Sequence, residues 1–295
     1  MSDDIRSRAI QIYDEFTHEH RDRRTLLREM TLLAGSAVAA EALIAGIAAS
    51  PAHAQQSSQD DPRLGLNGMV TLGALQGYIA APAAYTGRSG VMVIHENRGL
   101  NEHIKDVTRR MALEGFVAFA PDFLQPVGGT PANEDEAREK MSKLDLAGTV
   151  TRGARMLAAF RSADIITYAN YRARIRRVGV VGFCWGGAMV NRLAVASGLV
   201  MDAGVAYYGP APSPEEAARV KAPLMLHFAG NDARVNATGE PWVAALKAAG
   251  KSVEAFTYPG ADHAFNNSTS AERYNPAAAG LAWGRTVKFL KKHLK

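Results

Sequence analysis

From Leu64 to the C-terminus, short unbroken apolar runs alternate with longer segments of helical spacing. Gly90–His95, Phe116–Ala120, Arg177–Gly182, Gly204–Tyr208, Pro223–Phe228 and Ser252–Tyr258 read as strands. Their β-branched content and lack of polar alternation are what strands covered on both faces require. Leu72–Ala80 mixes apolar residues with glycine and reads as an early edge strand or hairpin. Ile104, Val107 and Met111 set a helical period within Asn101–Glu114, which Gly115 would end. Further helices are expected over Glu134–Lys143, Leu146–Tyr168, Trp185–Ser197, Thr238–Gly250 and Ala277–Leu294. This alternation predicts an α/β domain with a mostly parallel central sheet and helices on both faces. In such sheets ligands bind beyond the carboxyl ends of the strands, so chemistry is expected just after each strand.

The N-terminal segment follows a different pattern. Residues 1–28 are charged and end in Asp22-Arg23-Arg24-Thr25-Leu26-Leu27-Arg28; an apolar stretch, Met30–Ala49, comes next, then Ser50-Pro51-Ala52-His53-Ala54-Gln55. A basic start, a modest apolar core and an A-x-A end describe a bacterial export signal. The arginine pair followed by two leucines resembles the twin-arginine motif. The division expected is a leader over residues 1–54, a linker over 55–64 and an α/β domain over 65–295. The chain is then periplasmic or secreted, with the twin-arginine export machinery as a partner and no stable membrane insertion once the leader is cut after Ala54. Two other readings are an uncleaved membrane anchor and an amphipathic helix packed on the domain.

Composition narrows the function classes. The 295 residues carry 34 Lys+Arg against 29 Asp+Glu, a net charge of +5. Several of the positive charges lie in the first 28 residues and in Lys288, Lys291, Lys292 and Lys295. No aromatic-interleaved basic stripe accompanies it, so no nucleic-acid partner is expected. A single cysteine, Cys184, excludes an internal disulfide and a cysteine-based zinc site. No cofactor and no metal are expected: there is no phosphate-cradling loop, and the histidines lack ligand spacing.

The densest chemical signal surrounds that cysteine. Gly182-Phe183-Cys184-Trp185-Gly186-Gly187 joins a β-branched strand to an Ala-rich helix. It has the form of a nucleophile elbow with Cys in place of Ser. A thiol at a helix N-terminus is acidified by the local positive potential, and the free N–H groups beside it can hold an oxyanion. The elbow predicts an acid and then a histidine later in the chain. Asp232 follows the Pro223–Phe228 strand in Gly230-Asn231-Asp232, and His263 follows the last strand in Gly260-Ala261-Asp262-His263-Ala264-Phe265. His263 would take the thiol proton and Asp232 would orient its ring. The alternatives are that Asp232 only caps the turn or next helix and that Asp262 is the acid; His227, inside an apolar strand, reads as a satisfied core residue. His95 and His103 have no place in the order.

Together these three motifs resemble the dienelactone hydrolase (carboxymethylenebutenolidase) family of the α/β-hydrolase superfamily, over roughly Leu64–Lys295. The resemblance implies an α/β-hydrolase fold and hydrolysis of an ester or enol lactone through a Cys184–His263–Asp232 triad and a thioester. It assigns Glu96, in Ile94-His95-Glu96-Asn97-Arg98-Gly99, to thiol activation, and the Asn97 and Trp185 backbone amides to the oxyanion hole. Arg98 and Phe265 are candidate substrate contacts. The family's carboxylate-binding arginines are missing: Pro121-Asp122 continues into Phe123-Leu124-Gln125, and His263 into Ala264-Phe265-Asn266-Asn267. Arg98, Arg234 or Arg273 could substitute. A small-molecule ester or lactone is thus the expected partner. The alternatives are a general carboxylesterase or thioesterase, and a non-catalytic binding module of the same fold.

Overall fold

The apolar runs become one eight-stranded sheet in the computed structural model, which describes residues 3–18, 21–48, 56–72, 75–85, 89–162, 166–168 and 171–295. The strands are β1 (Leu64–Leu72), β2 (Leu75–Pro82), β3 (Ser89–Ile94), β4 (Val117–Pro121), β7 (Arg177–Phe183), β8 (Ala203–Tyr207), β9 (Leu224–Ala229) and β10 (Val253–Tyr258). Two short strands, β5 (Ile166–Tyr168) and β6 (Tyr171–Ala173), pair separately. The order is β1-β2-β4-β3-β7-β8-β9-β10. β2 runs antiparallel to both neighbours and every other pair after it is parallel. This is the α/β-hydrolase arrangement expected from the sequence.

Three helices precede the sheet: α1 (Asp3–His18), α2 (Arg23–Ala34) and α3 (Ala37–Ile47). Six more connect or close it: α4 (Glu102–Leu113), α5 (Glu134–Ser142), α6 (Leu146–Ser162), α7 (Trp185–Ala196), α8 (Ala233–Ala248) and α9 (Pro276–His293). Met92 and Ile94 face a core with Phe160 of α6, Leu193 of α7 and Trp242 of α8. Val91 and Val93 face the opposite core, with Ile104 and Met111 of α4 and Leu290 of α9. Alternate residues of one strand therefore bury on opposite faces, which is why the run has no polar positions.

Several boundaries differ from the sequence reading. The helix expected to reach Tyr168 stops at Ser162, and Ile166-Thr167-Tyr168 instead forms β5, as its β-branched and aromatic residues favour. The early hairpin is present, but its first strand lies at Leu64–Leu72, where Gly65, Asn67 and Gly68 dilute the apolar signal. α8 starts at Ala233 rather than Thr238, because Asp232 caps it ahead of the interior Pro241.

The N-terminal residues fold as three helices around an apolar cluster of their own, including Ile10, Tyr13, Phe16, Leu26, Met30 and Ile47. Asp22 and Ser36 cap α2 and α3, accepting from Thr25 N at 2.7 Å and Ala39 N at 3.2 Å. Gly35, at φ 78°, supplies the left-handed residue that ends α2. Among the described residues no single helix is long and apolar enough to cross a membrane; α2 and α3 qualify only as a pair bent by 110°. The Ala52–Ala54 stretch, where leader cleavage is expected, lies outside the described residues.

Candidate active site

β7 enters α7 through one residue, Cys184, held at φ 54° and ψ −114°. An L-residue adopts that backbone only under constraint. The constraint lies in the neighbouring glycines. A Cβ on Gly182 would stand 2.1 Å from the Gly186 carbonyl oxygen, and one on Gly186 2.2 Å from that of Ile94. Strand and helix thus approach too closely for any side chain. The buried thiol sits at the N-terminus of α7, where unpaired N–H groups favour negative charge. The Trp185 and Asn97 backbone N–H groups donate to no other described residue, and both residues line the same cavity as Cys184.

His263 arrives from the loop after β10. Its Nδ1 lies 2.5 Å from Asp232 Oδ2, and the ring borders one small gap together with Cys184. Burial alone would pull the imidazole pKa down. The negative charges of Asp232 and Cys184 outweigh burial and push it up to about 10. Asp232 shows the reverse: burial raises its pKa, and the His263 charge and hydrogen bond overcome that and lower it. Its other oxygen, Oδ1, accepts from Val235 N at 3.1 Å and caps α8. The cap and the histidine partner are therefore the same residue, with one oxygen for each. Asp262 is directed elsewhere, accepting from Asn231 Nδ2 at 2.9 Å.

The remaining histidines fall into place. His227 is a core residue, bonded to Tyr258 Oη at 2.9 Å and Thr286 Oγ1 at 3.0 Å, with its pKa lowered by burial to about 3. His95 braces the turn after β3. Its Nδ1 donates to the Glu96 carbonyl at 2.7 Å, its Nε2 accepts from Phe123 N at 3.1 Å, and its ring stacks on Trp185.

Glu96 is buried, and it borders a small gap of about 10 Å³ shared with Cys184 and His263. Asn267 Nδ2 donates to its Oε2 at 2.8 Å and Tyr208 Oη to its Oε1 at 3.4 Å. Cys184 also opens on a cavity of about 380 Å³ lined by Met141, Leu144, Leu146, Trp185, Met189 and three arginines: 138, 192 and 234. No carboxylate lines it.

The dienelactone hydrolase family model matches residues 75–294. The chain belongs to the dienelactone hydrolase family. Protein usf of Aquifex pyrophilus is 34% identical over 231 residues, covering 75% of this chain and 94% of that protein. A Methylorubrum extorquens protein named "Putative carboxymethylenebutenolidase" is 30% identical over 293 residues, covering 92% of this chain and 97% of its own. The crystal structure of a "Putative Dienelactone Hydrolase" from Klebsiella pneumoniae superposes with a TM-score of 0.66 at 27% identity, over 77% of this chain and 98% of that one.

Asn267, four residues beyond His263, holds Glu96. Of the three substitutes considered, Arg234 lines the larger cavity. Arg98 pairs with Glu134 at 3.0 Å and donates to Tyr13 Oη at 3.0 Å, while Arg273 pairs with Asp14 at 3.1 Å. Phe265, expected as a substrate contact, is buried, with its ring packed on Tyr208 and Tyr258. Sequence reasoning missed Tyr208 and Asn267. Tyr208 stands directly after β8, so the strand-end rule could have found it; a lone Asn in a loop carries no such signal. It also missed Tyr13, Asp14 and Thr17 of α1, which lie at the site because the N-terminal segment folds over it.

Proposed function

We propose that this dienelactone hydrolase family member cleaves esters or enol lactones through a thioester on Cys184. The observation that carries this reading is one imidazole that bonds to the Asp232 carboxylate and borders the same small gap as the Cys184 thiol. The thiolate attacks the carbonyl carbon, forming a C–S bond and an oxyanion received by the Trp185 and Asn97 N–H groups. Collapse breaks the C–O bond, and the departing alkoxide takes the His263 proton. A water then gives its proton to His263, attacks the thioester and releases the carboxylate, returning the thiolate–imidazolium pair. Thiolates leave easily, so activated esters and enol lactones suit this site better than amides. The three arginines that line the cavity favour an acyl group that carries a negative charge.

Mass spectrometry of acid-quenched reactions with an activated ester tests the chemistry. One acyl group on the Cys184 peptide is expected. Turnover with acylation elsewhere would require another nucleophile, and the absence of turnover on esters, enol lactones and thioesters alike would leave a binding module.

Export through the twin-arginine route belongs to the same reading, supported by Arg23-Arg24 and the A-x-A end. Changing Arg23→Lys together with Arg24→Lys should leave the precursor in the cytoplasm; equal amounts outside the cytoplasm in both strains would refute it.

A further inference from the structure

The space around the reacting groups is divided. Cys184 lines the 380 Å³ cavity, which His263 does not reach. His263 and Asp232 line a second cleft of about 630 Å³, bordered by Ile10, Gln11 and Asp14 of α1, which Cys184 does not reach. Both residues line a gap of about 10 Å³, and Thr17 of α1 lines that gap and the cavity beside Cys184. Such a gap holds about one water. An ester attacked at Cys184 must place its leaving oxygen near His263, and the residues that border this route from either side are Thr17 and Asp14 of α1 and Arg234 of α8, which lines both the cavity and the cleft.

The contacts that seat α1 are polar. Tyr13 Oη receives Arg98 Nη2 at 3.0 Å, Asp14 Oδ1 receives Arg273 Nη1 at 3.1 Å, the Phe16 carbonyl receives Arg138 Nη1 at 3.0 Å, and the Thr17 carbonyl receives Asn97 Nδ2 at 3.1 Å. The apolar residues of α1 instead join α2 and α3 in a cluster separate from both faces of the sheet. A unit with its own core, held to the domain by hydrogen bonds and ion pairs, can shift without opening the domain's interior. The family model starts at residue 75 and leaves these helices out, whereas a match over 92% of this chain, as with the Methylorubrum protein, necessarily reaches into them.

We infer that α1 is a partition within the substrate site, and that Thr17 sets which leaving groups can reach His263. The inference rests on Cys184 and His263 acting together as proposed above. With α1 seated, the gap admits the hydrolytic water and compact leaving groups. With α1 displaced, the acyl cavity and the His263 cleft become one groove open to bulky leaving groups.

Full-length protein tests this with variants of opposite effect. Thr17→Gly widens the gap, Thr17→Leu fills it, and Tyr13→Phe/Asp14→Asn removes two side-chain anchors. Two ratios are read: kcat/KM for p-nitrophenyl acetate over vinyl acetate, and the alkylation rate of Cys184 by N-ethylmaleimide over iodoacetamide. Both ratios should rise about tenfold in Thr17→Gly and in the double variant, and fall in Thr17→Leu, steric discrimination in enzyme pockets being of this order. Ratios that stay flat, or move the same way in Thr17→Gly and Thr17→Leu, overturn the partition. If esters are cleaved while both ratios stay flat, the partition falls and the hydrolase reading stands. If no form cleaves either ester, the hydrolase reading falls, and the alkylation ratio still decides whether α1 divides the site.

Discussion

Cys184→Ala is expected to lower ester hydrolysis by about 10⁴-fold or more, because oxyanion donors and binding alone supply only residual catalysis. The fold should survive. Alanine fits the space the thiol vacates and meets the same backbone strain at φ 54° that cysteine already bears, so the melting temperature should move by only a few degrees. Serine is the more telling substitution. A hydroxyl does not ionise beside His263 as a thiol does, so Cys184→Ser should stay near the alanine level despite its similar shape. Initial rates with p-nitrophenyl acetate, paired with thermal melts, check both variants. Retained turnover in Cys184→Ala would remove the nucleophile assignment and, with it, the thioester.

Much of this site was legible because the fold obeys a positional rule. In a parallel sheet the carboxyl ends of the strands share one edge, so residues after β3, β7, β9 and β10 meet whatever their separation along the chain. That brought Glu96, Cys184, Asp232 and His263 into one neighbourhood from apolar runs and motif order alone. The two opposed readings of Asp232, helix cap or histidine partner, excluded each other only on paper, since a carboxylate has two oxygens. Less legible were contacts that obey no periodicity. The grip of Asn267 and Tyr208 on Glu96 depends on loop conformation, including the positive φ of Tyr208. The N-terminal segment was hardest to read. Its arginine pair, apolar stretch and A-x-A end suggested an export leader, with an amphipathic helix packed on the domain as the alternative; Ala9, Ile10, Tyr13 and Phe16 fall on one face of α1 and are buried.

His263→Ala should cost about 10²–10⁴ in rate, the usual worth of a positioned acid–base group. It should also change the dependence of both activity and stability on pH. In the native protein the ring's pKa stands at about 10, above its ordinary 6.5. A raised pKa means the protonated ring favours the folded state: that contribution is fully present below 6.5 and is lost as pH rises through about 10. Between those values folding takes up a proton, and stability should fall by up to about 1.4 kcal/mol per pH unit. The alanine variant lacks this group, so urea unfolding at pH 7, 8 and 9 should show a flatter trend than wild type. Asp232, whose pKa His263 holds down, contributes at the acid end, present above its unfolded value near 3.9 and lost as pH falls through its lower folded one. Without the imidazolium that acid limb should move to higher pH. For activity, the same proton must be available to the leaving group, so kcat/KM of the wild type should hold through neutral pH and decline as pH passes about 10. A decline centred near 6.5, or unfolding slopes identical in the two proteins, would mean that His263 does not carry the proton in the resting site.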